Sequence, residues 1–137
     1  MKKIGIFFAE GFEEIEALTV VDICRRCDLD IEMVSAYGEA QVLGSHGILV
    51  KMDKTFAEAD FASYDMLVLP GGGKGTQGLE ACAPLMEKID EFYRVFLQRQ
   101  VCKNHLHFDN FLHPTFDLLL HDDRVRLTDH KFCKMFP

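Results

Sequence analysis

Between Lys3 and Ala9 the chain reads KIGIFFA, an apolar run with no polar position after its first residue. So short a run without alternation predicts a strand buried on both faces. Over residues 13–27 the period changes. Ala17, Val20, Val21, Cys24 and Cys27 recur at spacings of three and four, which predicts an amphipathic helix. DIEMVSA (30–36) reads as a second strand, and QVLGSHGILVKMD (41–53) as two short β stretches around Gly44–Gly47, a small hairpin or arm. DMLVLP (65–70) is a further buried strand, and GGGKGTQG (71–78) turns out of it. Pro84 suits a first helical turn. Leu85, Ile89, Phe92, Tyr93 and Phe96 then continue a helical stripe. The strand–helix–strand order predicts an α/β fold, with a parallel sheet covered by helices on both faces. Ligands in such sheets bind at the carboxyl ends of the strands. Two unusual turns lie there: AEGFEEIEAL (9–18) and the glycine run.

The first turn holds four glutamates. Glu10 precedes the turn glycine and is expected in solvent. Glu14 leads to Leu18 and Arg25, away from the apolar stripe, and is expected to be exposed. Glu13 shares the side of Ala17 and Val20 but sits in the first helical turn, near water. Glu16 leads through Val20, Ile23 and Cys27, so the spacing predicts that it is buried. Burial favours a protonated carboxyl and the helix N-terminus opposes it; a buried acid there can donate a hydrogen bond to a thiolate or substrate oxygen. Acids favour first helical turns in any case, which suffices for Glu13 and Glu14. In the glycine run, Gly73-x-Gly75-x-x-Gly78 matches a dinucleotide fingerprint, but outside the first βαβ unit and with no acid ending a following strand. Lys74 is not followed by Ser or Thr, so a Walker loop fails. The better reading is that PGGG brings bare backbone N–H groups into a pocket to hold an oxyanion.

Charge and cysteine content narrow the partners. A net charge of −7 argues against nucleic acid and anionic membrane surfaces. No apolar run reaches membrane-spanning length, and the apolar stretch of the N-terminus is too short for a signal peptide. Five cysteines, an odd number, suit a reducing compartment, and a cytoplasmic location is expected. Cys24-x-x-Cys27 has redox or zinc spacing without a second pair, so two buried helix cysteines account for it better.

AEGFEEIEAL, VVDICRRCDLDIEMVSA, GSHGILVKMDKTFAEADFASYDMLVLPGGGKGTQGLE and LMEKIDEFYR together resemble the ThiJ/PfpI superfamily, in the branch of the Parkinson-disease-linked protein deglycase. The resemblance runs from Met1 to about Arg94. It implies a flavodoxin-like three-layer sandwich, a homodimer or higher oligomer, and a nucleophilic cysteine hydrogen-bonded to a protonated glutamate. That glutamate corresponds to Glu16. The oxyanion amide corresponds to Gly72, beside Gly71 in LPGG. His46, in GSH, corresponds to a polar position near the dimer contact and pocket mouth, and Glu13 with Arg26 to positions used across the dimer. No metal or organic cofactor is implied. The activities implied act on small carbonyl substrates: glyoxalase (methylglyoxal to lactate), protein deglycation, and peptidase or amidase action. Chaperone action and stress sensing are the non-catalytic ones.

The resemblance stops where the nucleophile should stand. The family elbow reads roughly A-[IV]-C-[AG]-x-P, with small residues because the turn is sharp. QRQVCKNHLHF instead carries Cys102, followed by Lys103, Asn104 and His105. Composition changes at the same place. No glycine lies after Gly78, no alanine after Ala83, no isoleucine after Ile89 and no glutamate after Glu91, while five of six histidines lie in 95–137. Residues 1–94 hold 9 Lys+Arg against 17 Asp+Glu, and residues 95–137 hold 6 against 5. The expectation is a flavodoxin-like unit over 1–94 followed by a divergent segment over 95–137, the simplest cause being a change of reading frame. His105-x-His107, with His113, His121, His130 and Cys133, offers adventitious metal donors rather than an evolved centre. Cys102 is retained as the candidate nucleophile. The rival readings are a non-catalytic dimerising or chaperone-like module and a non-functional truncated product.

Overall fold

The structure, a computed structural model, describes the backbone of residues 2–104 and 134–135 and the side chains of residues 2–95. The elements follow the order β1 (Lys3–Phe8), α1 (Glu14–Arg26), β2 (Asp30–Ser35), β3 (Gln41–Leu43), β4 (Leu49–Lys51), β5 (Lys54–Thr55), β6 (Met66–Leu69), α2 (Gly73–Ala81), α3 (Ala83–Asn104) and β7 (Lys134–Met135). Two short 3-10 turns, Phe56–Glu58 and Phe61–Ser63, lie between β5 and β6. The main sheet has the order β5-β2-β1-β6-β7; β1, β2, β5 and β6 are parallel, and β7 runs antiparallel to β6. The expected hairpin is there as the antiparallel pair β3–β4. This is the parallel sheet with flanking helices that the sequence pattern predicts, in the flavodoxin-like arrangement.

The unbroken apolar run of β1 is explained by two cores. Ile4, Ile6 and Phe8 point to the side of α1 and the hairpin, where they meet Phe12, Ala17, Val21, Val42 and Met52. Phe7 and Ala9 point to the other side and meet Tyr64, Leu79, Cys82 and Leu85 from α2, α3 and the loop before β6. Alternate side chains leave opposite faces of a strand, so a central strand needs apolar residues at every position.

Two expectations are corrected. The glycine run is a helix rather than a turn from Gly73 onward: Gly72 is its N-cap, with φ 108° and ψ 124°, a conformation only glycine takes readily. β1 lies between β2 and β6, and the outer edge of β6 pairs with Lys134–Met135. On α1, Cys27 is exposed and Ile23 is 54% exposed, so the line from Glu16 through Ile23 to Cys27 is not a buried face. The helix that includes Pro84 continues past Val95, its backbone helical to Asn104. The histidines after residue 104, the packing of the tail phenylalanines and the side chain of Cys102 lie outside what the structure describes.

Candidate active site at the first turn of α1

The site forms where two glycine-bearing loops touch. Gly75 lies so close to Phe12 that an added Cβ would come within 2.6 Å of the Phe12 Cα. A Cβ on Gly72 would come within 2.6 Å of the Glu13 nitrogen. The glycines therefore serve close backbone approach between the AEGFEE loop and the start of α2. Hydrogen bonds fix the approach: Gly75 N–H donates to the Gly11 carbonyl (3.1 Å) and Glu13 N–H to the Gly71 carbonyl (2.8 Å).

The first turn of α1 then divides its glutamates between two neighbours. Glu13 is the N-cap; its Oε2 accepts from the Glu16 N–H at 2.9 Å, satisfying one of the amides a helix start leaves free. Glu16 reaches back to the glycine loop, where its Oε2 accepts from the Gly71 N–H at 2.9 Å. Glu14 points the other way, to the tip of the β3–β4 hairpin. Its Oε1 accepts from the His46 N–H (2.6 Å), and its Oε2 from the Ser45 hydroxyl (3.0 Å) and His46 Nδ1 (2.8 Å). Gly44 has no room for a Cβ because the Glu14 carboxylate occupies that space.

The burial expected of these two acids is reversed. Glu14 is 4% exposed and Glu16 is exposed. The reason lies in the helical phase: Glu14, Ala17 and Val21 are the buried positions of α1, spaced by three and four. Glu16 lies on a side that no described element covers, so the expected burial is not present. For Glu14, burial alone would raise the carboxyl pKa, but the His46 ring and amide and the Ser45 hydroxyl outweigh it and bring it down to about 2. The same bond to Glu14, with its charge, raises the pKa of His46.

The remaining candidates are placed as follows. Glu16, Gly71 and Gly72 come together, with Glu13 joining through its backbone. One expected oxyanion donor is already engaged: the Gly71 N–H is held by Glu16, and the Gly72 N–H stays out of that pairing. His46 joins Glu14, with its Nδ1 3.9 Å from Glu13 Oε1. Arg26 sits at the far end of α1 and pairs with Asp22 at 2.8 Å; within one chain it does not meet Glu13. Cys102 is not on a strand-to-helix elbow, because its backbone lies within α3. Sequence reasoning missed Glu14. The signal was there in its spacing to Ala17 and Val21, together with Gly44-Ser45, a small and a polar residue opposite it.

Comparison with known proteins decides the family: its model, the DJ-1/PfpI family, matches residues 2–98. The chain belongs to the DJ-1/PfpI family. Protein DJ-1 homolog B of Arabidopsis thaliana is 32% identical over 88 residues, covering 64% of this chain and 20% of that protein. Protein DJ-1 homolog A of the same plant is 33% identical over 87 residues, covering 64% and 22%. Among solved structures, a cysteine-to-alanine mutant of the DJ-1 superfamily protein STM1931 from Salmonella typhimurium superposes with a TM-score of 0.67 at 34% identity, covering 69% of this chain and 51% of that one. Oxidized DJ-1 of Toxoplasma gondii gives a TM-score of 0.63 at 28% identity, covering 66% and 50%. The chain thus spans about a fifth of the length of these curated relatives and about half of the solved ones. The DJ-1/PfpI match ends within α3, close to the composition break near Arg94. No described helix is long and apolar enough to cross a membrane.

Proposed function

We propose that this DJ-1/PfpI chain carries the acid-and-amide half of a cysteine–glutamate site for small carbonyl compounds, of glyoxalase, deglycase or amidase type, and lacks the nucleophile that would complete it. In the complete reaction a thiolate adds to the carbonyl carbon, the Gly72 amide steadies the resulting oxyanion, and Glu16 exchanges the proton. The observation that carries this reading is the 2.9 Å bond from the Gly71 N–H to Glu16 Oε2. It holds the acid at the residue preceding Gly72, whose amide is the one assigned to the substrate oxygen. The absence of A-[IV]-C-[AG]-x-P from the sequence, and the helical backbone at Cys102, support the loss of the nucleophile. The abrupt change in composition after about Arg94 supports a change of reading frame there as its origin.

Methylglyoxal turnover, measured before and after thiol alkylation, tests the proposal. Turnover at the level of buffer is expected, because removing a nucleophile removes covalent chemistry. Turnover that Cys102→Ser abolishes would overturn it. A second reading, a non-catalytic dimerising module, is favoured by one observation. Ile15 (76% exposed), Ile23, Ile48 and Leu49 all lie open on α1 and beside the hairpin, the same elements that carry Glu13, Arg26 and His46. A monomer by light scattering at micromolar concentration would remove that reading.

A further inference from the structure

The last turn of α1 carries a pair of thiols that the site at its first turn does not use. Cys24 is half-buried and packs against the core on the α1 side of the sheet; Cys27 is exposed and forms the C-cap. The turn that joins them is closed on itself. Cys27 N–H donates to the carbonyls of Cys24 and Ile23, both at 3.1 Å. Leu29 N–H returns to the Cys24 carbonyl (2.9 Å) and Asp28 N–H to the Arg25 carbonyl (3.2 Å), with Asp28 in the left-handed region at φ 55°. This is a Schellman closure, with aspartate where glycine is usual. It satisfies the carbonyls of Ile23, Cys24 and Arg25 without any contribution from the two cysteine side chains. Residues three apart in a helix have Cα atoms about 5 Å apart, inside the span that a disulfide bridges. Burial raises the pKa of the Cys24 thiol, and the nearness of Cys27 raises it further, so the exposed partner is the one a reagent in solution meets first.

We propose that Cys24 and Cys27 form a reversible dithiol–disulfide site oxidised by small disulfides of the glutathione class. The Cys27 thiolate attacks one sulfur of the reagent, forming a mixed disulfide and releasing one thiolate. Cys24, deprotonated to solvent, then attacks the Cys27 sulfur, forming the Cys24–Cys27 bond and releasing the second thiolate. Two electrons pass from the protein dithiol to the reagent disulfide, and the two protons lost by the cysteines balance those taken up by the two released thiolates.

The sequence supplies its own assay, because Arg25 and Arg26 separate the two cysteines and trypsin cuts after both. The full chain is incubated with glutathione disulfide, remaining thiols are alkylated, and the protein is digested without reduction. The expected result is a pair of otherwise separate peptides, one ending at Arg25 and one beginning at Cys27, joined until dithiothreitol is added. Cys24→Ser is expected to leave a stable glutathione adduct on Cys27. Cys27→Ser is expected to slow glutathione addition at Cys24 about tenfold, since burial limits access. Circular dichroism of both variants confirms that the helix is retained. A wild-type chain that keeps glutathione on Cys27 with Cys24 alkylated would overturn the proposal. So would one in which both thiols are alkylated, or in which either is joined to a different cysteine.

Discussion

The two sides of the first turn of α1 differ although they are built from neighbouring glutamates. On the hairpin side, Glu14 is buried, accepts three hydrogen bonds and leaves no room for a side chain at Gly44. On the glycine-loop side, Glu16 is exposed and accepts from one backbone amide. The hairpin side is complete within the residues described: every donor that faces Glu14 comes from Ser45 and His46, and two backbone bonds, Gly11 N–H to Leu43 and Ser45 N–H to Phe12, run alongside. On the glycine-loop side the carboxylate is exposed and bonded to the Gly71 amide alone. Burial of a carboxylate is therefore not the mark of chemistry here. The buried one is a tie between helix and hairpin, and the one proposed for proton exchange is exposed.

The strongest way to break the comparison is to remove the apolar wedge beneath the hairpin side. Phe12 is fully buried, its ring packs edge-on to Phe8 at 4.8 Å, and its carbonyl accepts from Ser45. Phe12→Ala is expected to cost about 3–5 kcal/mol in chemical denaturation, the usual penalty for emptying a buried phenylalanine site. A loss no larger than that of a surface substitution would mean that the hairpin is not part of the cooperative core.

A smaller effect comes from pH. Folding holds the Glu14 carboxyl at about 2 against an ordinary value of 4.5, so its stabilisation is complete above 4.5 and is lost as the pH falls from there toward 2. Folding raises the pKa of His46 above 6.5, so its share is complete below 6.5 and fades as the pH rises through the raised value. The tie between helix and hairpin is thus strongest between 4.5 and 6.5. The melting-temperature gap between the wild type and Glu14→Gln should be widest in that window and narrow on the acid side. A gap constant with pH would show that Glu14 contributes by shape rather than by charge.

Much of this was legible in the sequence, for reasons that differ by element. The strand β1 was plain because a strand covered on both faces cannot hide a polar residue. Helix α1 was plain from its period, and the hairpin from Gly44 and Gly47 between short β stretches. The start of α2 was not. Glycine-rich sequence reads as a turn, and only the approach of Phe12 to Gly75 explains why a helix there is built from glycines. The exchange of roles between Glu14 and Glu16 was missed because helical phase near an N-terminus is set by few apolar residues. Val20 and Ile23 pulled the predicted face toward Glu16, whereas Ala17 and Val21 face the core that α1 forms with β1 and β2. The family resemblance put Glu16 and the glycine loop in one site, but the bond between Glu16 and Gly71 was not legible, since no spacing rule connects residue 16 to residue 71.

The smallest expected effect on stability is also the sharpest test of what the open side is for. Glu16→Gln keeps the size of the side chain and an oxygen that can accept from Gly71 N–H, but removes the charge. Because the residue is exposed and makes one side-chain bond, the change should shift stability by no more than about 0.5 kcal/mol. The Gly71 amide proton should nevertheless move upfield, since a bond to a carboxylate is stronger than one to an amide oxygen. Glu16→Ala should extend that shift and speed exchange at Gly71, with the β1 amides unchanged. The two readouts separate the sides of the turn: a residue that ties the fold moves the melting curve, and one that bonds a single amide at an open surface moves only its neighbour's amide. If Glu16→Gln lowered stability as much as Glu14→Gln at about pH 5–6, where the Glu14 tie is strongest, the two acids would be doing the same work. The distinction between tie and site would then be lost.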